Sequence, residues 1–206
     1  MKIIDLDLGI RPHKKSVRGW KQCAERGVQL AKRKHNFSSG QDLNLDRKLK
    51  VIVKYYIPFF SEICPVTLRS AKILDLGCGS YPPLDWISSN NRLFEPWLCR
   101  VLFYMGIDII GIDLGKLEFE DFRGYGETDL MYWEKSPAYR EIEDDSIDLV
   151  NISSVFDSPT LVFRYGFYHR LKEHLIETLE RKMTPGGVLF LNESSRDCSR
   201  IGKCKY

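Results

Sequence analysis

Apolar and polar residues follow each other along this chain with periods that change from segment to segment, and each period predicts an element. Residues 2–8 read KIIDLDL and are apolar at every second position, which is the period of a half-buried strand. Residues 11–36 repeat apolar positions at spacings of three and four among many Lys and Arg, which predicts a basic amphipathic helix. After a polar loop at residues 37–46, an aromatic helix is predicted over 49–63, with Pro58 as its kink or end.

Beyond residue 66 the pattern becomes a series of short apolar runs separated by helical segments. Such alternation of strands and helices is typical of a doubly wound, mainly parallel α/β sheet with helices on both faces. We therefore divide the chain into an N-terminal strand with a basic helical cap (1–66) and an α/β domain (67–206). The predicted strands are 72–76, 107–115, a short one within 116–128, 146–154 and 188–194, the last after a tight turn at 184–187; the predicted helices are 84–89, 96–104 and 161–182.

The composition narrows the class of protein. Of 206 residues 43% are hydrophobic and 29% charged, which is typical of a soluble globular chain with a real core. No apolar run reaches the roughly 18 residues of a membrane helix, and the first one is interrupted by Asp5 and Asp7, unlike a signal peptide. The six cysteines form no CxxC pair, so we expect reduced thiols, no structural metal and a cytoplasmic protein.

The charge is distributed unevenly. The chain has a net charge of +3, but residues 1–54 contain 14 Lys and Arg against five Asp and Glu, while the remainder is acidic. A basic N-terminal helix suits an anionic partner such as RNA, although a solvated helix face is the more common reason for such a pattern. RNA is therefore a possible partner, and its role has to be weighed against a small-molecule substrate.

Three acidic residues stand at the ends of predicted strands or just past them, namely Asp75, Asp113 and Asp129. The carboxyl ends of parallel strands lie at one edge of a sheet, where ligands bind in open α/β folds. Gly77 and Gly79 follow the first strand, and glycines there allow a sharp turn and a close approach by a ligand. The structural alternative is that the acids cap turns or end strands.

The glycine loop differs from the known phosphate-binding loops. A dinucleotide site requires GxGxxG, but the segment from Gly77 reads GCGSYP, with Pro82 in place of the third glycine. The chain has no GK[ST], which excludes a P-loop. Asp75 directly before the loop would repel a pyrophosphate and attract an ammonium group. These charges fit a nucleoside that carries an amino acid, such as S-adenosylmethionine.

Four segments occur in the order found in one enzyme family. ILDLGCGS resembles the glycine-rich motif of the class I S-adenosylmethionine-dependent methyltransferases, and IIGIDLG resembles their second-strand acidic motif. DDSIDLVNISSVFD and MTPGGVLFLNE resemble their fourth strand and the turn into their fifth. The resemblance covers residues 72–194 and implies a Rossmann-like domain with strand order 3-2-1-4-5, truncated after the fifth strand.

The resemblance also implies roles for the loop and the second strand. Asp75, Gly77, Cys78 and Gly79 would line the methionine part of S-adenosylmethionine. Asp113 would bind the ribose hydroxyls. These five residues form the first half of the implied cofactor site.

The other half comes from later segments. Leu114 would pack on the adenine, Asp129 would receive its amino group, and Leu130 would cover its ring face. Asn151 and Ser153, at the end of the fourth strand, would lie near the sulfonium and the acceptor. The resemblance singles out no catalytic residue.

The chain departs from the family pattern in three ways. Gly79 and Asp113 are 34 residues apart, more than is usual, which indicates an insertion beside the acceptor. The family's sixth and seventh strands have no room after the fifth, so we expect residues 2–8 to cover the open sheet edge. The fourth strand continues into NISS instead of a DPPY-type motif, which disfavours methylation of a base amino group.

These features predict a methyltransferase with a small-molecule acceptor. The alternatives are an RNA methyltransferase that uses the basic helix, and a non-catalytic protein that keeps the cofactor-binding scaffold. A nucleotide-dependent oxidoreductase is disfavoured by Pro82 and Asp75. Asp157, Tyr165 and His169 are candidates for a general base, without a preference among them.

Overall fold

The computed structural model describes residues 1–5, 17–37, 40, 42–80, 94–153, 155 and 168–192. From residue 72 onward, helices lie between most of the successive strands, as the periods predict. The strands are β1 (Lys2–Asp5), β2 (Lys72–Leu76), β3 (Asp108–Ile112), β4 (Arg123–Tyr125), β5 (Ile147–Ser153) and β6 (Met183–Asn192). The helices are α1 (Val17–Lys34), α2 (Leu43–Val51), a π-helix (Ile52–Tyr56), α3 (Ile57–Ile63), α4 (Trp97–Tyr104), a 3-10 helix (Leu130–Lys135), α5 (Pro137–Glu141) and α6 (Tyr168–Glu180).

The described strands form one all-parallel sheet in the order β1-β6-β5-β2-β3-β4. The predicted α/β class is therefore confirmed. The strand order differs from the predicted 3-2-1-4-5 because β1 is added as a sixth strand next to β6. The chain proceeds from β2 outward to β3 and β4, and then resumes on the other side of β2 with β5 and β6. Its direction across the sheet thus reverses between β2 and β5.

Strand β1 covers the edge of the sheet that β6 would otherwise expose. It pairs in parallel with β6, with Lys2 opposite Val188 and Asp5 opposite Leu191. A long bare edge offers a row of unpaired amide and carbonyl groups to other chains, and the four-residue β1 presents fewer of them than the ten-residue β6 would. The prediction that the N-terminal strand lies here is confirmed for Lys2–Asp5, and residues 6–8 lie outside the described residues.

The sheet separates two hydrophobic cores because successive side chains on a strand point to opposite faces. On β2, Ile73 packs into the core formed with α1 to α4, whereas Leu74 and Leu76 pack into the core formed with the 3-10 helix, α5 and α6. Strands that are covered on both faces are continuously apolar, which is why the sequence from residue 72 onward shows short apolar runs that predict strands. None of the described helices is both long enough and apolar enough to span a bilayer.

The helical segment before β2 starts earlier than its pattern predicts. Asp42 accepts hydrogen bonds from the amides of Asn44 and Leu45 and caps α2, so the predicted polar loop is wrong for residues 43–46. Pro58 has no amide hydrogen and cannot continue the regular hydrogen-bond ladder. The turns just before it, Ile52–Tyr56, have the wider π-helical form.

The last strand is longer than predicted. The TPGG segment, expected as a tight turn, lies inside β6, which begins at Met183. Gly186 adopts a φ of +85°, and the pairing with β5 skips from Met183 to Val188. The glycines therefore form an irregularity within the strand instead of ending it.

Candidate functional site

The reversal between β2 and β5 is the point at which an open α/β sheet forms a crevice at the carboxyl ends of its strands. Asp75 on β2 lies opposite Asn151 on β5, and opposite Gly111 on β3. Ser153, two residues further along β5, faces the same side of the sheet as Asn151. The predicted residues of the first, second and fourth strands thus meet at one edge.

The glycine loop after β2 makes the sharp turn that the sequence predicts. Gly77 and Gly79 have φ values of +70° and +93°, the left-handed region that side chains with a Cβ rarely adopt. The amides of Gly77 and Cys78 both donate to the carbonyl of Ile112 at the end of β3, at 2.8 and 3.2 Å. The turn is therefore tied to the neighbouring strand.

The protein itself occupies the space next to both glycines. A Cβ on Gly77 would lie 2.2 Å from Cγ2 of Val155, and a Cβ on Gly79 would lie 2.2 Å from the carbonyl oxygen of Phe94. The same Phe94 carbonyl accepts a hydrogen bond from the Ser80 amide at 2.9 Å. Close packing within the chain thus requires both glycines, a reason that differs from the predicted approach of a ligand.

We expect Gly77→Ala to reduce the free energy of unfolding by about 2 kcal/mol, from left-handed strain and the contact with Val155. Urea unfolding measures this loss. Gly106→Ala is the matched control, because Gly106 has a φ of +78° but no neighbour within 4 Å of its Cβ direction. Combining Gly77→Ala with Val155→Ala should show a favourable coupling of about 1 kcal/mol; strictly additive effects would mean that Val155 does not limit this turn.

Asp113 joins the glycine loop to the loop that follows β3. Its Oδ2 accepts a hydrogen bond from the Gly79 amide at 2.9 Å, and its Oδ1 accepts one from the Gly115 amide at 3.0 Å. The side chain is half-buried, and the adjoining Leu114 is 45% exposed. An acidic group and an apolar side chain therefore lie side by side at the rim of the sheet, next to the turn.

Asp75 points into the protein beneath the glycine loop. It is 3% exposed, and its Oδ1 accepts a hydrogen bond of 2.6 Å from Nδ2 of Asn151, while Oδ2 accepts one of 3.3 Å from the Cys99 thiol. Ser153 donates in turn to Oδ1 of Asn151 at 2.8 Å. Burial raises the pKa of Asp75 to about 6, against the opposing effects of these hydrogen bonds and the charge of Lys48.

The third acid has a local structural contact. Oδ1 of Asp129 accepts a hydrogen bond from the Met131 amide at 3.0 Å and caps the 3-10 helix. Leu130 is buried in the core below that helix. The amide of Thr128 donates to the carbonyl of Asp113 at 3.0 Å, so this segment begins beside the Asp113 rim. Asp129 is half-buried, and a second role for its carboxylate stays a prediction.

The structure adds residues that sequence reasoning missed. Asn192, at the end of β6, lies opposite Ser153 and donates from Nδ2 to the Tyr56 hydroxyl at 3.1 Å. Strand alternation could have placed Asn192 on the same face as Phe190, two residues earlier. No local pattern indicates that Tyr56, 136 residues away along the chain, is its partner.

A buried ionic cluster supports the outer side of the glycine loop. The Arg100 guanidinium donates to both carboxylate oxygens of Glu120, at 2.9 and 2.7 Å, and to Glu95. It also lies over the ring of Trp97, 4.6 Å from the centroid. Because Glu95 follows the Phe94 carbonyl that contacts Gly79 and Ser80, this cluster holds the backbone against which the loop packs.

Several candidate residues lie outside the part of the chain that the structure describes. Asp157, Tyr165 and Pro82 fall outside the described residues, as does the side chain of His169. His174 is described, and its Nε2 lies 3.0 Å from Oε2 of Glu134, which gives it a structural partner on the 3-10 helix. In the described part of the chain, no group of three or more His, Cys, Asp and Glu residues is arranged to hold a metal ion.

Comparison of the chain with protein-family models, with curated proteins and with solved structures finds no match in any of the three. The function has therefore to be argued from the site itself.

Proposed function

We propose that this protein is an S-adenosylmethionine-dependent methyltransferase, with a small-molecule acceptor. The observation that carries the proposal is the contact between Asp113 and the Gly79 amide at the carboxyl edge of the sheet. In nucleoside-binding α/β folds an acid at the end of the second strand binds the ribose diol, next to a glycine turn after the first. The hydrogen bond of 2.9 Å supports that arrangement here.

The side chains at the rim suit a nucleoside that carries no pyrophosphate. Asp113 offers carboxylate oxygens to ribose hydroxyls, and the exposed Leu114 offers an apolar surface to a purine. The carboxylate of Asp113 makes this edge unfavourable for a phosphate group. The same charge favours a ligand with an ammonium and a sulfonium group, which is the chemistry of S-adenosylmethionine.

The protein would act mainly by positioning. S-adenosylmethionine, when bound, supplies an activated methyl group for an in-line displacement by the acceptor. Asp113 and the glycine turn would hold the nucleoside, and Ser153 would lie next to the acceptor, held by its hydrogen bond to Asn151. Correct orientation of two reactants is worth up to roughly 7–11 kcal/mol of the barrier.

We expect Asp113→Asn to weaken S-adenosylmethionine binding by about 2 kcal/mol, or roughly thirtyfold, because hydrogen bonds to a charged acceptor are lost. Isothermal titration calorimetry measures the change. Asp108→Asn is the matched control, since Asp108 is exposed at the opposite end of the same strand, β3. Urea unfolding of each variant identifies any loss that comes from the fold alone, given that Asp113 also binds the amides of Gly79 and Gly115.

Three results would separate the candidate functions. Binding of S-adenosylmethionine in preference to NAD, lost in Asp113→Asn and kept in Asp108→Asn, supports the site. Failure of wild-type protein to bind S-adenosylmethionine and S-adenosylhomocysteine at millimolar concentration contradicts it. Binding without transfer of a labelled methyl group to any tested acceptor favours the non-catalytic alternative.

RNA methylation is the second candidate, and the exposed basic residues of α1 favour it. Lys21, Arg26 and Arg33 are exposed on this helix. Three lysines of α1 pair with acids of the protein, Lys21 with Glu25, Lys32 with Asp46 and Lys34 with Asp121, which reduces the charge available. A salt titration of RNA binding, with glutamine at the three exposed positions as the comparison, distinguishes an RNA site from a solvated helix face.

A further inference from the structure

Two cysteines from separate elements meet beneath the glycine loop. Cys78 belongs to the loop after β2, and Cys99 lies on α4. A Cβ placed on Gly111 of β3 would lie 3.0 Å from the sulfur of Cys78 and 3.3 Å from the sulfur of Cys99. Both sulfurs therefore occupy the space that the missing side chain of Gly111 leaves open.

The surroundings of the two thiols differ in a way that suggests an order of reaction. Cys78 is 8% exposed and donates to the carbonyl of Gly79 at 3.2 Å. Cys99 is fully buried and donates to Oδ2 of Asp75 at 3.3 Å. Cys78 is thus the thiol closer to solvent, and Cys99 has a carboxylate in place to receive its proton.

We propose that Cys78 and Cys99 are a modification site, at which hydrogen peroxide converts the two thiols into an internal disulfide. The Cys78 sulfur attacks a peroxide oxygen, the O–O bond breaks, and Cys78 becomes a sulfenic acid while water is released. The Cys99 sulfur then attacks the Cys78 sulfur, the S–O bond breaks, and a second water leaves. Asp75 accepts the Cys99 proton and passes it to the departing hydroxide. Two thiols are oxidised and one peroxide is reduced to two waters.

The closeness of the two sulfurs favours the second step, whereas the first step depends on the formation of a Cys78 thiolate. Burial raises the pKa of Cys78 to about 11 and also raises the pKa of Cys99, so the first step is slow at neutral pH. The negative charges of Asp75, Asp113 and Glu120 oppose the Cys78 thiolate further. Once Cys78 is oxidised, Cys99 lies beside it in the space next to Gly111, and the bond joins the glycine loop to α4. The thiol hydrogen bonds to Gly79 and Asp75 are then lost.

Peptide mapping of the folded full chain tests the proposal. Trypsin cleaves after Lys72, Arg92 and Arg100, which places the two cysteines in separate peptides, 73–92 and 93–100. Folded protein is treated with hydrogen peroxide, quenched in acid, alkylated and digested. We expect the linked pair 73–92/93–100 at a yield at least tenfold above that of any other cysteine pair, and its loss on treatment with dithiothreitol.

Cysteine variants and an unfolded control distinguish a specific reaction between Cys78 and Cys99 from general oxidation of cysteines. In Cys99→Ser we expect dimedone to trap a sulfenic acid at Cys78, whereas in Cys78→Ser the buried Cys99 should stay a thiol. The half-exposed Cys23 and Cys64 report the general extent of oxidation. The proposal is overturned if these two are fully oxidised while peptides 73–92 and 93–100 still contain free thiols. It is also overturned if protein unfolded in urea gives the linked pair in equal yield.

Discussion

Arg100→Met should reduce the free energy of unfolding by about 4 kcal/mol, the largest effect we expect of any single substitution described here. The Arg100 side chain is fully buried, and it contacts Glu95 and Glu120, which are buried as well. Burial alone would lower the pKa of Arg100, but the hydrogen bonds and charges of Glu120 and Glu95 outweigh it and raise the pKa. Removing the cation leaves two carboxylates in a site with little water, which costs roughly 3–5 kcal/mol in comparable cases.

The control for this substitution is an exposed ion pair. Arg123 pairs with Glu141 at 3.4 Å, and both side chains are about half exposed, so Arg123→Met should cost no more than about 1 kcal/mol. The triple variant Glu95→Gln, Arg100→Met, Glu120→Gln removes all three charges. It should recover at least half of the stability that Arg100→Met alone loses. Urea unfolding measures each value. Equal effects of Arg100→Met and Arg123→Met would show that burial of the cluster is energetically unimportant.

The same cluster links stability to the proposed site. Glu95 follows Phe94, whose carbonyl packs against Gly79 and accepts a hydrogen bond from Ser80. Loosening of this backbone should widen the glycine turn. We therefore expect Arg100→Met to weaken cofactor binding as well, even though Arg100 itself lies in the interior.

Asp75→Asn should remove a component of the pH dependence of folding worth about 3 kcal/mol between pH 4 and pH 7. Burial raises the pKa of Asp75 from its ordinary 3.8 to about 6 in the folded protein. Between these values the folded state binds more protons than the unfolded state, so stability falls as the pH rises. Each unit of difference corresponds to about 1.4 kcal/mol, and the loss is nearly complete by about pH 7.

Asparagine at position 75 has nearly the same shape and can still accept a hydrogen bond from Asn151. The test is urea unfolding of wild type and Asp75→Asn at several values of pH, with Asp108→Asn as the exposed control on β3. The variant should gain stability relative to wild type as the pH rises through 6. Parallel profiles would mean that Asp75 is charged in the folded protein at pH 5, contrary to the effect of its burial.

Much of the fold was predictable because it depends on local pattern. The apolar run at 72–76 and the alternation at the N-terminus predict strands, and Gly77 and Gly79 predict a sharp turn, as found. The wrong predictions concern segments whose local sequence is compatible with more than one structure. Asp42 resembles any polar loop residue until it is seen to cap α2, and the glycines at 186 and 187 resemble a turn although β6 passes through them.

The candidate site was predictable in position but not in its contacts. Asp113 and the glycine loop meet as the strand-end pattern implies. Asp129, which the family resemblance predicts to lie beside an adenine, caps the 3-10 helix in addition to any other role. Cys99, Asn192 and Tyr56 carry no motif at all, and they join the site because register and helix packing bring them there.

By itself the sequence determined that this is an α/β protein, and which residues stand at the ends of its strands, because the period of apolar positions and the need of glycine for positive φ are local properties. Only the tertiary structure decided what those residues touch. Strand register and packing between segments 20 to 136 residues apart decide these contacts. They decide whether Asp75 faces solvent or the interior, which acids surround Arg100, and which sulfur lies beside Cys78. Those contacts result from minimising the free energy of the whole chain, and no short segment of the sequence specifies them.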